Sequence, residues 1–264
     1  MSYFLSTLAQ RNAPLYYLGW VCLLGALGCA GLGWRSTTQV MGANAWLKPL
    51  KFFSSVTLFV WTMGWYLGYL GTRPAVTAYT WVVVTALTLE LLWITGQAAR
   101  GQRSHFNVSS AGNAALSAAM GVVITIMTGW TGYMGWLFYQ EPLPGLPSAY
   151  AWAIRLGIGL FVLFALEGGL MVRQGGHTVG GADGGPGLPG LAWSTRYGDL
   201  RVAHFVGMHA LQVLPLLAWY GQLSGRSMGV LALCYATLAG VVLLLALQGR
   251  PLGRRTAASA TPIA

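Results

Sequence analysis

Seven apolar stretches, residues 14–34, 51–71, 78–99, 112–138, 151–173, 201–220 and 227–248, take up most of this 264-residue chain. A helix needs about 20 residues to cross a hydrocarbon core of roughly 30 Å. Each stretch has about that length, and none holds more than one acidic residue. Inside a bilayer the backbone must satisfy its own polar groups, which a helix does within one segment. Only 8% of the residues are charged, against about 25% in a soluble domain. The chain therefore reads as an all-α integral membrane protein of seven transmembrane helices, one membrane domain over residues 1–264.

The basic residues orient the bundle. With the N-terminus outside, the inner connections and tail carry Arg35, Lys48, Lys51, Arg100, Arg103, Arg173, Arg196, Arg201, Arg250, Arg254 and Arg255. The outer side carries only Arg11, Arg73, Arg155 and Arg226. Positive residues collect on the cytoplasmic side, which predicts N-terminus out and C-terminus in. The net charge of +10 then belongs to topology and anionic headgroups. It is not gathered on a soluble module, so nucleic acid is not an expected partner. A bacterial inner membrane is the expected location. Residues 1–34 do not read as a cleaved signal, because the only early charge is Arg11 and the apolar run after it is long enough to span. Cys22, Cys29 and Cys234 all fall inside spans, with no CxxC spacing, and read as packing residues.

The outer connections are short and rich in Pro and Gly, whereas the inner ones are longer and more polar. Residues 174–200 form a Gly/Pro-rich cytoplasmic loop with His177, Asp183 and Trp193. A loop of that length in a compact domain is usually functional or disordered. Leu188, Leu191 and Trp193 favour a lid that packs over the inner mouth.

All four histidines, His105, His177, His204 and His209, fall on that inner side. Ionisable groups are costly inside a membrane and mark functional sites. Glu90, Glu167 and His209 reach depths of roughly 9–13 Å from the inner helix ends at 1.5 Å per residue. Glu90, Trp93, Gln97 and Arg100 form one helical stripe, and so do Arg201, Phe205, His209 and Gln212. These positions predict that His209 faces a buried lining with Glu90 and Glu167. His105, His177 and His204 would then belong to the mouth and its lid.

Two cofactor chemistries suit these residue types. Haem b takes axial imidazoles, which His105, His204 or His209 could supply. Its propionates, or the headgroup of a quinone, would be met by Lys48, Lys51, Arg100, Arg103 and Arg201, with Trp93 and Gln97 beside them. Glu90 and Glu167 would act as proton-transferring groups. Zinc takes histidine and carboxylate with one position open for water, which suits a lipid hydrolase. In helix number and an inner-side histidine site the chain resembles the alkaline ceramidase and adiponectin-receptor group, and that resemblance implies the zinc reading. The group carries an HxxxH pair on its last helix. Here residues 227–248 have no histidine, and the pair on the preceding helix is His204 and His209, five residues apart. A third reading is a transporter or accessory subunit that binds an anionic ligand beside another membrane subunit. No GxxxxGK[ST] motif occurs, and the last helix has no lysine, so a P-loop and a retinal Schiff base are both excluded.

Overall fold

The computed structural model describes residues 2–252. Arg254 and Arg255, counted above on the inner side, lie outside the described residues. Nine helices appear in this range: α1 (Ser2–Arg11), α2 (Ala13–Arg35), α3 (Leu47–Leu67), α4 (Pro74–Ala99), α5 (Ala111–Gln140), α6 (Ser148–Gln174), α7 (Leu200–Met208), α8 (Ala210–Tyr220) and α9 (Gly225–Leu247). Two short antiparallel pairs join them, β1 (Gln39–Val40) with β2 (Ala43–Asn44) and β3 (Thr178–Val179) with β4 (Gly198–Asp199).

Five helices, α2, α4, α5, α6 and α9, are long and apolar enough to cross a membrane. The α7–α8 pair adds a sixth if it is one span bent by 41°. The remaining predicted span, 51–71, corresponds to α3, which has 21 residues but is not in that set. Lys48, Lys51, Ser54, Ser55, Thr57 and Thr62 dilute its apolar character. Many large apolar side chains face outward, among them Leu24 and Leu27 on α2, Val122 and Ile126 on α5, and Leu233 and Leu244 on α9. Such continuous apolar surface suits hydrocarbon contact better than water.

The helix boundaries follow from local chemistry. Asn12 separates α1 from α2. Its Oδ1 accepts from Leu15 N at 3.1 Å and its Nδ2 donates to Thr80 on α4 at 2.8 Å. Ser110 and Ser224 cap α5 and α9 in the same way, each satisfying an amide left free in the first turn. The sequence alone gave no sign of α1.

α6 is the central element, packed against α5, α7, α8 and α9, while α2 and α3 pair closely on the other side. The two halves meet where Phe59 of α3 stacks on Phe161 of α6 at 5.0 Å between ring centroids. They meet again where Tyr66 donates to Leu211 O at 2.9 Å. Pro215 explains that second contact. It has no N–H, so the carbonyl four residues earlier, that of Leu211, has no partner within the helix. The Tyr66 hydroxyl supplies the missing donor. Tyr66→Phe should therefore lower stability by about 1 kcal/mol, read as a fall in Tm in detergent. Tyr66→Phe combined with Pro215→Ala should recover it, because the new amide at 215 can reach Leu211 O.

The bend lies at His209, between α7 and α8. The predicted continuous helix over 201–220 is thus two segments at an angle. This redirects the histidines on either side of the break.

Candidate functional site

Three polar assemblies occupy one end of the bundle. The first begins at Glu90, which is buried on α4. Its Oε1 lies 3.2 Å from His105 Nε2. The other ring nitrogen, Nδ1, lies 3.1 Å from Lys48 Nζ and 3.0 Å from Ser104 Oγ. Lysine can only donate and a carboxylate accepts. His105 therefore carries its proton on Nε2, aimed at Glu90, and accepts on Nδ1. Burial, and then the charge of Lys48, hold the His105 pKa below its ordinary 6.5, while Glu90 pulls the other way. A neutral imidazole between a cation and a buried carboxylate can pass a proton from one ring face to the other. Trp93 Nε1 donates to Ser104 O at 2.8 Å and so fixes the 104–105 segment over α4.

Glu90 also belongs to the wall of a groove of about 420 Å³ between α4 and α5. Leu89, Leu92, Leu116, Met120 and Val123 make most of its lining, with Trp93 and Arg100 at the same wall. The predicted stripe on α4 is thus largely real. Gln97, fully buried, turns aside and donates to Asn113 at 3.1 Å. Arg100 and Arg103 are exposed. Another groove, about 320 Å³ between α5 and α6, is lined by Trp136, Tyr139 and Arg155 and three glycines. It contains no histidine or acidic side chain.

The second assembly ties loop 174–200 down. Asp199 caps α7 and takes two bonds from Arg201, Nε to Oδ1 at 2.9 Å and Nη2 to Oδ2 at 2.6 Å. Arg201 also bonds Ala192 O, and Asp199 accepts from Ser194 N. Lys51 reaches Leu191 O at 2.9 Å, and Trp193 packs edge-on against Phe205 at 5.4 Å. Asp183 accepts from the amides of His177 and Thr178 and lies 3.0 Å from His177 Nδ1. The loop is packed through both carboxylates. Burial opposes the charge on Asp199, but the Arg201 hydrogen bond and charge hold its pKa below the ordinary carboxylate value.

Burial, and next the charge of Arg201, lower His177 from 6.5 to about 4, with Asp183 and Asp199 acting in the opposite sense. In the unfolded chain the imidazole protonates near 6.5. Between these values the unfolded state holds more protons, so the stability carried by neutral His177 is complete above pH 6.5. It is lost as pH falls toward 4. The loss should be of the order of 2–3 kcal/mol. Hydrogen-exchange protection factors of residues 176–199, which take out the intrinsic slowing of exchange in acid, should fall from pH 7 to pH 5, and His177→Gln should flatten that dependence.

The third assembly joins α6 and α7. His204 Nδ1 stands 3.3 Å from Glu167 Oε2. His209 instead directs Nδ1 at Phe205 O, 2.7 Å away, with its ring tilted against Phe205 at 3.9 Å between centroids. A carbonyl only accepts, so His209 carries its proton on Nδ1. Pairing of His209 with Glu90 and Glu167 is therefore not what forms. His105 pairs with Glu90 and His204 with Glu167, because the loop folds back over α4 and the bend at 209 turns α8 away from α7. The three expected metal ligands, His105, His204 and His209, are split among separate partners. Among the described residues no group of three His, Cys, Asp or Glu side chains could hold a metal ion. Both ring nitrogens of His105 are engaged, which leaves it no lone pair for iron in this arrangement. Of the expected cofactor-binding cations, Lys48 bonds His105 and Arg201 pairs with Asp199.

Sequence reasoning missed Ser104, and it did not find the joint role of Asp199 and Arg201. The cap pattern Asp199-Leu-Arg201 at a helix start was the available signal for the second. Comparison of the chain with protein-family models, with curated proteins and with solved structures finds no match.

Proposed function

We propose that this is an integral membrane protein that crosses a bacterial inner membrane seven times, N-terminus outside and C-terminus in the cytoplasm. We propose further that it binds an isoprenoid quinone and exchanges a proton with it from the cytoplasmic side. Seven spans are supported by the five apolar helices, the bent α7–α8 pair and the 21 residues of α3. Such a helix is about 30 Å long. The orientation is supported by the grouping of the sparse outer charges. Arg73 pairs with Glu141 at 2.7 Å, and Arg155 donates to Glu141 O.

The observation that carries the quinone reading is Glu90. A buried carboxyl forms part of the wall of a mainly apolar groove and lies 3.2 Å from His105 Nε2, whose other ring nitrogen bonds Lys48 at the polar mouth. An isoprenoid tail would lie along Leu89, Leu92 and Leu116. The ring carbonyl would meet Glu90, with Arg100 and Trp93 on the same wall. Reduction of a quinone takes two electrons and two protons. The electrons would come from a redox-active membrane partner, and Glu90 would hand over a proton and regain it through His105. Groove size fits, since ligand sites commonly measure about 300–1,000 Å³.

The test is organic extraction of the purified protein followed by chromatography of the extract. About one quinone per chain is expected, displaced by a short-chain quinone analogue. A protein without quinone that neither binds the analogue nor shifts its melting with it would overturn the reading. A Soret band lost in His209→Ala would replace quinone by haem.

A further inference from the structure

Glu167 sits on α6, 8% exposed, and neither of its oxygens has a hydrogen-bond partner among the described residues. His204 Nδ1, 3.3 Å away on α7, is equally buried and equally without one. The two atoms are close enough to share a proton, but their alignment falls outside hydrogen-bond geometry. An unbonded carboxylate in such a place is expensive, so this pair needs something more than packing to explain it.

The surroundings narrow what that is. Of the elements packed on α6, α5 and α8 carry no charged side chain, and α9 has only Arg226, in its first turn. Arg201 on α7 is committed to Asp199. His209 is turned to Phe205. Arg173, on α6 itself, is exposed. Tyr235 of α9 donates to Val206 O at 2.6 Å. Among the described residues, His204 is the one group placed to neutralise Glu167.

We infer that Glu167 and His204 together form a second buried site whose ligand is a single proton. Without it the pair bears one negative charge. With it, as carboxylic acid beside neutral imidazole or as carboxylate beside imidazolium, the pair is neutral. Only the neutral form is cheap to bury. Loading forms one O–H or N–H bond, breaks none in the protein and transfers no electrons. The site is separate from the Glu90–His105 relay and does not rest on the quinone reading. It gives the inner half of the bundle two proton stations on different helices.

Infrared difference spectra of the full-length protein in lipid, recorded between acidic and alkaline buffer in H2O and D2O, test this. The expected result is a deuterium-sensitive carboxyl or imidazole signal that is lost in Glu167→Gln and also in His204→Gln, yet kept in Glu90→Gln. A carboxyl signal that His204→Gln leaves unchanged would overturn the shared site, because Glu167 would then titrate alone. Spectra unaffected by either substitution would overturn it as well. Size-exclusion profiles of each variant identify any that fail to fold, and Glu167→Asp, which keeps the carboxyl, should keep the signal in a shifted position.

Discussion

Glu90→Gln should slow proton delivery to a bound quinone by about 100-fold, the lower end of what a positioned acid or base contributes. Glutamine occupies nearly the same volume and still offers hydrogen bonds to a quinone carbonyl and to His105 Nε2. What it lacks is an exchangeable acid proton. Affinity for a short-chain quinone should therefore change by less than about 10-fold, within the cost of one altered hydrogen bond. Voltammetry of the quinone-loaded protein on an electrode separates the two effects. The native protein should show a two-electron, two-proton wave whose rate follows proton supply. In Glu90→Gln the wave should broaden as scan rate rises, with the amount of bound quinone nearly unchanged. His105→Gln should give a smaller slowing, because water at the mouth can replace the relay in part. An unchanged rate in Glu90→Gln would remove Glu90 from the chemistry.

Gly198→Ala should be among the most damaging single-methyl additions in the chain. A Cβ at Gly198 would overlap the backbone carbonyl of Ala246 on α9. A side chain could rotate away from such a clash, whereas a helix backbone cannot. Overpacking of this kind costs about 1–3 kcal/mol or more. The effect should also spread, because the next residue is Asp199, which caps α7 and holds Arg201. Tm in detergent should fall by several degrees, and proteolysis between residues 180 and 197 should accelerate. Gly129→Ala serves as the contrast. Nothing lies within 4 Å of its would-be Cβ, so the added helix propensity should stabilise by about 0.5–1 kcal/mol. Equal stability of the two variants would show that β4 does not press on α9.

The parts of the fold readable in the sequence are those governed by period and hydropathy. Helix positions follow from apolar length, and the shared face of Glu90, Trp93 and Arg100 follows from 3.6-residue spacing. In residues 174–200 only Trp193 packs as expected, against Phe205, whereas Leu188 and Leu191 are exposed and the segment is held by Asp183, Asp199 and Arg201. The histidine partners were not readable. His105 lies in a connection, where no periodicity says which way a side chain points, and it reaches Glu90 only because the 100–110 segment folds back. On one straight helix five residues would set the rings of His204 and His209 about 140° apart at 3.6 residues per turn, but a 41° bend lies between them and periodicity no longer relates their directions. Ring tautomers, which decide what each histidine can do, depend on partners far away in sequence.

The Glu90–His105–Lys48 chain has an electrical consequence. All three groups lie toward the same end of the bundle, and the groove beside Glu90 runs along the C-terminal half of α4. On the proposed orientation, a proton that reaches the quinone through them enters and leaves on the cytoplasmic face. It traverses little of the transmembrane voltage drop, which acts on charge in proportion to the distance moved across the membrane. Turnover at this site would consume or release cytoplasmic protons without itself carrying charge across the bilayer. Any contribution to the membrane potential would have to come from the partner that supplies the electrons.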